Sequence, residues 1–513
     1  MADRSLKCLM CSCMTIVLGV AWAQAPPATG VFTDHTDVGA VLHKGSVLYD
    51  AAHGIYTITG SGENVWAAAD AFHFVWKRIE GDFTLSADIA VLGRGGDPHK
   101  KAMLMARQSL AADAAYADAA LHGVGLTSLQ ARDAKGGQTH EIQSNLSAPR
   151  RLRLQKSGDE FTLWLAGDDG VFHLAGGSMR VPLSGAFYVG LGVCAHNKDA
   201  LETADFSNVT LEAGRPGLSP QTFSTLETIT LASTDRRVTY VTPGVIAAPN
   251  WTPDGASLLF SREGRIESVP VAGGTPQAID LGSAEYSINF HGISPDGTML
   301  AVTTLSRSHE NELAIFVVPA GGGARRRITI NSPSGWQGWS PDGKTILFTA
   351  LRNGRYGIYT IPVGGGDEVR LADSPAFGSA EYSPDGEYIY LTSDRSGTTE
   401  IWRMRPDGSR PEQLTQDLAG NWFPHVSPDS RLLIYLRPLR QVAQFPEAGE
   451  IELMAMTLAD RQVRVLARLT GGPGTVPNPS WSPDSRRIAF VSYQGIHIGT
   501  ALPQRAPAPA IVK

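Results

Sequence analysis

The pentapeptide Trp339-Ser-Pro-Asp-Gly343 recurs, with small changes, six times in the second half of this 513-residue chain. Each copy opens with an apolar or aromatic residue, continues with Ser or Thr, Pro and Asp, and ends with Gly or Ser. The six copies begin at Trp251, Ile293, Trp339, Tyr382, Val426 and Trp481. Their aspartates stand at positions 254, 296, 342, 385, 429 and 484, a spacing of 42 to 55 residues that predicts one four-stranded propeller blade per copy.

The motif has the composition of a turn between two antiparallel strands. Pro presets its backbone φ, Asp hydrogen-bonds its own main chain, and Gly supplies a positive φ. Apolar strands such as Thr345–Ala350 follow the motif, and Gly-rich turns separate the later strands of each unit. We expect the aromatic residues at the front of the motif to be packing residues between blades, and the repeated aspartates to be structural.

The fourth unit carries a family resemblance. Residues 382–415, with the turn Asp394-Arg-Ser-Gly397 and the strand Glu400–Met404, resemble the repeat of the TolB family of periplasmic propellers. The resemblance covers about residues 222–500 and implies a six-bladed β-propeller. The last copy lacks two outer strands, so we expect Leu226–Leu231 and Arg237–Val241 to pair beside residues 487–498 and close the ring from both ends.

Residues 30–212 contain no copy of the motif and predict a separate all-β domain. Alternating strands such as Arg151–Gln155, with turn signals about every ten residues, indicate a β-sandwich of jelly-roll type. Glu80-Gly-Asp-Phe-Thr-Leu85, the stretch 151–164 and Ala204–Leu211 resemble the concanavalin A-like lectin/glucanase superfamily. That resemblance implies the sandwich fold and suggests glycan binding.

The two ends and the junction are expected to lie outside both domains. Basic residues and an apolar run ending at Ala21-Trp-Ala23 predict a signal peptide over residues 1–23, cut after Ala23, and so a periplasmic or secreted protein. Cys8, Cys11 and Cys13 lie too early in this segment for a lipoprotein signal, and the remaining Cys194 reads as a buried residue. We expect a linker over 213–221, a disordered tail over 501–513, and no membrane span.

Several kinds of chemistry are excluded or disfavoured by the sequence. A net charge of −6 and a pI near 6.1 give no field for nucleic acid. The chain lacks a Gly-x-Ser-x-Gly elbow, a His-Glu-x-x-His motif and a paired-carboxylate glucanase motif, so no catalytic residue, metal or cofactor is predicted. The P-loop-like string at 338–345 is the blade turn itself, with no helix after it.

The most plausible binding site consists of polar residues just upstream of each Pro-Asp pair. If the repeats align the inner strands, these residues form a ring near one opening of the central channel: Asn250, His291, Gln337, Glu381, His425 and Asn478. The TolB resemblance implies that a partner's peptide segment engages such a channel. A solvated pore without a ligand is the structural alternative.

Three functions remain open at this point. The first is a non-enzymatic envelope protein that binds a protein or peptide partner, with a sandwich that docks on glycan. The second is a carbohydrate-active protein, including a polysaccharide lyase in which His291 and His425 help to hold a metal. In the third, the sandwich only spaces or caps the propeller.

Overall fold

Strands and turns make up the regular structure of this chain, as its high content of Gly and Pro predicts. The structure is a computed structural model that describes residues 29–495, except 93–94, 148, 150, 215–221, 283–285, 307–311, 375–377 and 443–444. No helix among these residues is long and apolar enough to cross a membrane. The predicted signal peptide, the tail, most of the linker and the expected strand at 496–498 lie outside the described residues.

The first half of the chain contributes seventeen strands. They are β1 (Asp34–Val38), β2 (Ser46–Asp50), β3 (Ile55–Gly62), β4 (Val65–Trp66), β5 (Ala69–Asp70), β6 (Phe72–Glu80), β7 (Phe83–Leu92), β8 (Lys101–Arg107), β9 (Tyr116–His122), β10 (Leu126–Arg132), β11 (His140–Ser147), β12 (Arg151–Ser157), β13 (Glu160–Ala166), β14 (Phe172–Leu174), β15 (Met179–Arg180), β16 (Ala186–Cys194) and β17 (Asn197–Ala213).

The second half contributes the remaining strands. They are β18 (Phe223–Thr230), β19 (Arg236–Pro243), β20 (Ile246–Trp251), β21 (Ser257–Arg262), β22 (Arg265–Pro270), β23 (Gln277–Ala278), β24 (Tyr286–Ile293), β25 (Met299–Ser306), β26 (Glu312–Pro319), β27 (Arg326–Arg327), β28 (Ser334–Trp339), β29 (Thr345–Arg352), β30 (Arg355–Pro362), β31 (Val369–Asp373), β32 (Ala380–Tyr382), β33 (Ile389–Ser393), β34 (Glu400–Met404), β35 (Glu412–Gln413), β36 (Trp422–Val426), β37 (Leu432–Pro438), β38 (Gly449–Thr457), β39 (Val463–Gly471) and β40 (Arg487–Gln494).

Two antiparallel sheets pack face to face in the first half. One contains β1-β6-β16-β8-β9-β10-β11 and the other β14-β13-β12-β7-β17-β3-β2. Alternation decides which side chains face inward: Leu152 and Leu154 of β12 are buried in the shared core, whereas Arg151 and Arg153 are partly exposed. The two-layer β arrangement agrees with the sequence, while the jelly-roll and concanavalin A-like descriptions stay predictions.

Five four-stranded sheets form the propeller blades. They contain β20–β23, β24–β27, β28–β31, β32–β35 and β36–β39, each in chain order from its first strand to its last. The first strands of successive blades contact one another, from β20 through β24, β28 and β32 to β36, and β20 also contacts β40. We call these first strands, with the segment 476–481 before β40, the inner strands.

The repeated motif forms the same turn in all six copies. In the third copy the Ser340 hydroxyl donates to Asp342 at 2.6 Å and accepts the Thr345 N–H at 2.9 Å. The last residue has a positive φ in every copy, from 56° at Ser430 to 75° at Gly297. The turn expected from the sequence is therefore confirmed, and the hydrogen bonds from the Ser340 hydroxyl and the Lys344 N–H lower the pKa of the Asp342 carboxyl.

The aromatic residues at the front of the motif join neighbouring blades. Trp251, Trp339 and Trp481 are buried, as expected, whereas Tyr382 is partly exposed. The indole of Trp339 donates to the Gly292 carbonyl of the preceding blade at 2.9 Å. The indole of Trp481 likewise donates to the His425 carbonyl, so Trp339 and Trp481 join blades by a hydrogen bond as well as by packing.

The predicted count of six separate four-stranded blades is not met. Strands β18 and β19 do pair beside β40, as the closure hypothesis required, with Leu226 opposite Val491. However, β11 pairs in parallel with β19, so these strands belong to a ten-stranded sheet that continues into the first domain. The expected inner strand is reduced to one bridge between Trp481 and Ile488, because Pro477 and Pro479 lack the N–H groups that a ladder needs.

Buried polar contacts fix the junction between the two halves. Arg236 donates to both carboxylate oxygens of Glu227 at 2.8 Å and to the Ser178 carbonyl at 3.2 Å. The Ser492 hydroxyl also donates to Glu227, which is fully buried. Contacts of this kind, with the β11–β19 pairing, join the sandwich to the propeller through more than the linker.

Candidate functional site: the inner-strand ring

The inner strands carry the six polar residues singled out from the sequence. Asn250, His291, Gln337, Glu381 and His425 lie on the inner strands of successive blades, and Asn478 lies in the segment before Trp481. Four of the five inner strands have a register shift within or beside this region. A β-bulge re-aims side chains, so these positions depart from regular alternation.

Most of this ring is shielded from solvent. Asn250, His291, Gln337, His425 and Asn478 are buried, whereas Glu381 is partly exposed. The sequence suggested side chains around an open channel mouth. The structure instead places buried polar groups on the inner strands, so the hydrogen bonds of each one decide what it can do.

In one part of the ring, the polar side chains already have hydrogen-bond partners within the protein. The Nδ1 atom of His425 lies 2.5 Å from Glu381 Oε2, and Nε2 lies 3.0 Å from the Val476 carbonyl oxygen. A carbonyl only accepts, so Nε2 carries hydrogen and the histidine and the carboxyl share a further proton at Nδ1. Burial raises the pKa of Glu381, and the charge of His425 opposes that rise.

Gln337 is satisfied in the same way across a blade boundary. Its Nε2 donates to Thr349 Oγ1 at 3.2 Å, and its Oε1 accepts the Ala380 N–H at 3.3 Å. We call Gln337, Glu381 and His425 the paired arc. Its polar groups bind one another, the Thr349 hydroxyl or the neighbouring main chain.

Polar atoms on the other side of the ring lack hydrogen-bond partners among the described residues. Asn250 Nδ2 donates to the Pro479 carbonyl at 2.5 Å, but its Oδ1 has no hydrogen-bond partner. Both amide atoms of Asn478 and the hydroxyl of Ser480 also lack partners among the described residues. We call Asn250, Asn478 and Ser480 the open arc. Pro479, which Asn250 touches, lies between the other two in the chain.

Ser480 was not singled out from the sequence, although a signal was present. It directly precedes the first residue of its motif, as Asn250, Glu381 and His425 precede theirs. A strict alignment on this one position would have found it. Asn478, two residues earlier, belongs to the site because Pro477 and Pro479 interrupt the strand.

His291 is a buried histidine of a different kind. Its Nδ1 lies 3.4 Å from Ser261 Oγ, and its Nε2 has no partner among the described residues. Burial lowers the pKa of His291 to about 3, so this side chain is uncharged at physiological pH. No group of three or more His, Cys, Asp or Glu in the described part of the chain is arranged to hold a metal ion. Both ring nitrogens of His425 are engaged.

The aromatic side chains of the sandwich differ in how much of each ring is exposed to solvent. Tyr116 is fully buried, and Trp164 packs edge-on against Phe223 of β18, with ring centroids 5.9 Å apart. Trp76 and Tyr188 are partly exposed and form an edge-to-face pair at 4.9 Å. Trp76 and Trp164 are thus both partly exposed, whereas Tyr116 has no exposed ring face. Cys194 is buried, as expected.

Comparison with known proteins assigns the propeller. The family model for the TolB beta propeller domain matches residues 337–496. An uncharacterized protein of Agrobacterium fabrum is 37% identical over 272 residues, which are 53% of this chain and 92% of that protein. The solved structure of a putative TolB from Agrobacterium tumefaciens is 37% identical with a TM-score of 0.50, covering 53% of this chain and 98% of that one.

A TolB structure from Acinetobacter baumannii is more distant, at 21% identity and a TM-score of 0.37, over 48% of this chain and 63% of that chain. The Agrobacterium fabrum relative is matched along almost its whole length, and the repeat turns and inner strands described above are those of a propeller. The chain belongs to the TolB-like β-propeller family.

Proposed function

We propose that this chain is a non-enzymatic periplasmic binding protein that holds an extended segment of an envelope protein at its inner-strand ring. The observation that carries the proposal is the open arc, where buried hydrogen-bonding atoms on adjacent inner strands have no partner. A bound segment would supply those partners. The paired arc offers no free nucleophile or base, since both nitrogens of His425 are occupied.

The proposal treats residues 222–500 as a closed ring in which β18, β19 and β40 serve as the sixth blade. Two contacts support this reading. A Cβ added at Gly255 of the first motif would lie 3.6 Å from Pro483 of the sixth, and one added at Gly297 would lie 3.6 Å from Pro253. The sixth and first motifs are thus neighbours in the same sense as the first and second.

A second candidate function is glycan binding by the sandwich. It rests on Trp76 and Tyr188, whose partly exposed rings offer an apolar surface on one sheet. Sugars stack on such rings through their apolar faces, whereas a peptide segment needs the hydrogen bonds of the ring described above. The two functions therefore use different halves of the chain and can coexist.

Affinity capture tests the two candidates separately. Immobilised wild-type protein is exposed to envelope extract, and the same protein is applied to a glycan array. We expect an envelope protein to be retained by the wild type and lost from the double variant Asn250→Ala, Asn478→Ala, because this change removes the unpartnered amides that carry the proposal. The variant Trp76→Ala should keep the protein partner and lose any glycan signal. Unchanged partner affinity in the double variant would remove the open arc from the proposal.

A further inference from the structure

One arginine on the outer face of the sandwich is held in place without an ion pair. Arg153 of β12 is partly exposed, and its Nε donates to Ser86 Oγ at 3.0 Å. Its guanidinium carbon lies 3.7 Å from the centre of the Phe172 ring. The two terminal nitrogens have no partner among the described residues and are open to solvent. The stacking and the Ser86 bond therefore fix the guanidinium while both of its NH2 groups stay available.

The neighbouring Arg151 shows what a paired arginine looks like on the same strand. Its Nε lies 3.4 Å from Asp88 Oδ1, and its Nη2 donates to the Asn208 carbonyl at 3.0 Å. Asn208 in turn donates to Asp88 Oδ2 at 2.7 Å. The charge of Arg151 is thus balanced within the protein. Arg153 has only Glu212, which acts on it through its charge without forming an ion pair.

The side chains beside Arg153 are suited to a sugar. In the strand ladder Arg153 stands opposite Trp164, and Gln155 stands opposite Thr84 on one side and Thr162 on the other. Residues two apart on a strand face the same side of the sheet. A partly exposed indole and a row of uncharged hydrogen-bonding groups therefore lie next to the guanidinium.

We propose that this face of the sandwich binds an acidic sugar and that Arg153 receives the carboxylate of a hexuronate residue. The two terminal nitrogens match the two oxygens of a carboxylate, and the pyranose ring lies against Trp164. Burial lowers the pKa of Arg153, so an anionic partner also offsets the cost of holding the charge there. A polyanionic surface fits less well, because Asp88 and Glu212 place two further carboxylates near the site.

This inference goes beyond the protein partner proposed above and does not depend on it. It also differs from the glycan surface at Trp76 and Tyr188, because those residues belong to β6 and β16 of the other sheet. It places the sugar on β7, β12, β13 and β14 and names its chemical class. Variants on the two sheets therefore separate the two glycan surfaces.

The test measures calorimetric binding of the full-length protein to tetrasaccharides of glucuronate, galacturonate, mannuronate and guluronate. Each is compared with its carboxyl-reduced form, which keeps the linkage and stereochemistry but has a hydroxymethyl group in place of the carboxylate. We expect at least one acidic tetrasaccharide to bind about tenfold or more tightly than its reduced form, since charge-assisted hydrogen bonds are the stronger ones.

Three variants locate the carboxylate. Arg153→Gln should weaken binding of the acidic sugar about tenfold or more and leave that of the reduced sugar unchanged. Arg153→Lys keeps the charge, which guards against a folding defect, but should still lose about fivefold because an ammonium group lacks the planar fork. The matched control Arg151→Gln removes one positive charge from the same strand and should change the affinity less than about threefold, because Asp88 and Asn208 already engage that arginine.

Each other outcome overturns the inference. It fails if no acidic tetrasaccharide binds, or if each binds no better than its reduced form. It fails if Arg151→Gln weakens binding as much as Arg153→Gln, since general surface charge would then explain the effect. It also fails if Trp76→Ala abolishes binding and Arg153→Gln does not, because the sugar would then occupy the other sheet. None of these results bears on the protein partner, which is detected by capture from envelope extract.

Discussion

Replacing Arg236 by Ala should destabilise the protein more than any exposed ion-pair change. Arg236 donates to both oxygens of Glu227 at 2.8 Å, and its side chain is 5% exposed while that of Glu227 is 0% exposed. Its removal leaves a buried carboxylate with the Ser492 hydroxyl as a remaining partner. Breaking a buried pair in this way costs about 3–5 kcal/mol.

The assay is thermal and urea-induced unfolding of the full-length protein. A loss of about 3 kcal/mol lowers the melting temperature of a unit of 150–250 residues by about 6 °C or more. The matched control is Arg405→Ala, which removes a largely exposed pair with Glu387 and should cost about 1 kcal/mol or less.

A second variant separates the lost pair from lost packing. In Arg236→Met with Glu227→Leu, both charges are replaced by apolar groups, so no charge is stranded. This double variant should be clearly more stable than Arg236→Ala alone. The reasoning is refuted if Arg236→Ala stays within about 1 kcal/mol of the wild type, or if the double variant is no better than the single one.

Three further predictions concern single positions. Asp342→Ala should lower the urea midpoint more than Asp342→Asn does, with peptide binding unchanged, because only Asn keeps an acceptor in the turn. Trp339→Phe should cost about 1 kcal/mol more than Trp251→Phe in urea unfolding, because only Trp339 has a hydrogen-bond partner for its indole N–H. His291 has a pKa of about 3 in the folded protein against 6.5 in the unfolded chain, so its unfolded form binds more protons in that window. Stability should therefore fall on acidification from pH 6.5 by up to about 1.4 kcal/mol per pH unit, and His291→Gln should lack that part of the fall in urea titrations at several pH values.

The repeat turns could be predicted because they depend on neighbours in the chain. Pro, Asp and Gly determine the motif locally, and the bonds from Ser340 to Asp342 and Thr345 span only five residues. The pairing of Leu226 with Val491 was predictable because the last repeat lacks two strands, and two strands without a repeat of their own precede the first motif. Both inferences used counts and local chemistry.

The failures have a different origin. The sixth set of strands joined the sandwich because the outer edge of β19 found a partner in β11, and no pattern in either strand announces that pairing. Which ring residues fall into the paired arc and which into the open arc also depends on contacts between blades. One such contact joins Glu381 and His425, which are 44 residues apart in sequence. The sequence pointed to six polar positions just upstream of the turns, but it did not single out Ser480 or show which side chains bind one another.

The ten-stranded sheet makes the two halves a single mechanical body. Its hydrogen-bonded ladder runs without interruption from β1, at the far edge of the sandwich, to β40, which contacts the inner strand β20. A pull on the sandwich is therefore passed to β19 and its neighbours β18 and β40 through the short β11–β19 pairing. Removing the first domain would leave the outer edge of β19 without its partner β11, and such an exposed edge is a template for self-association.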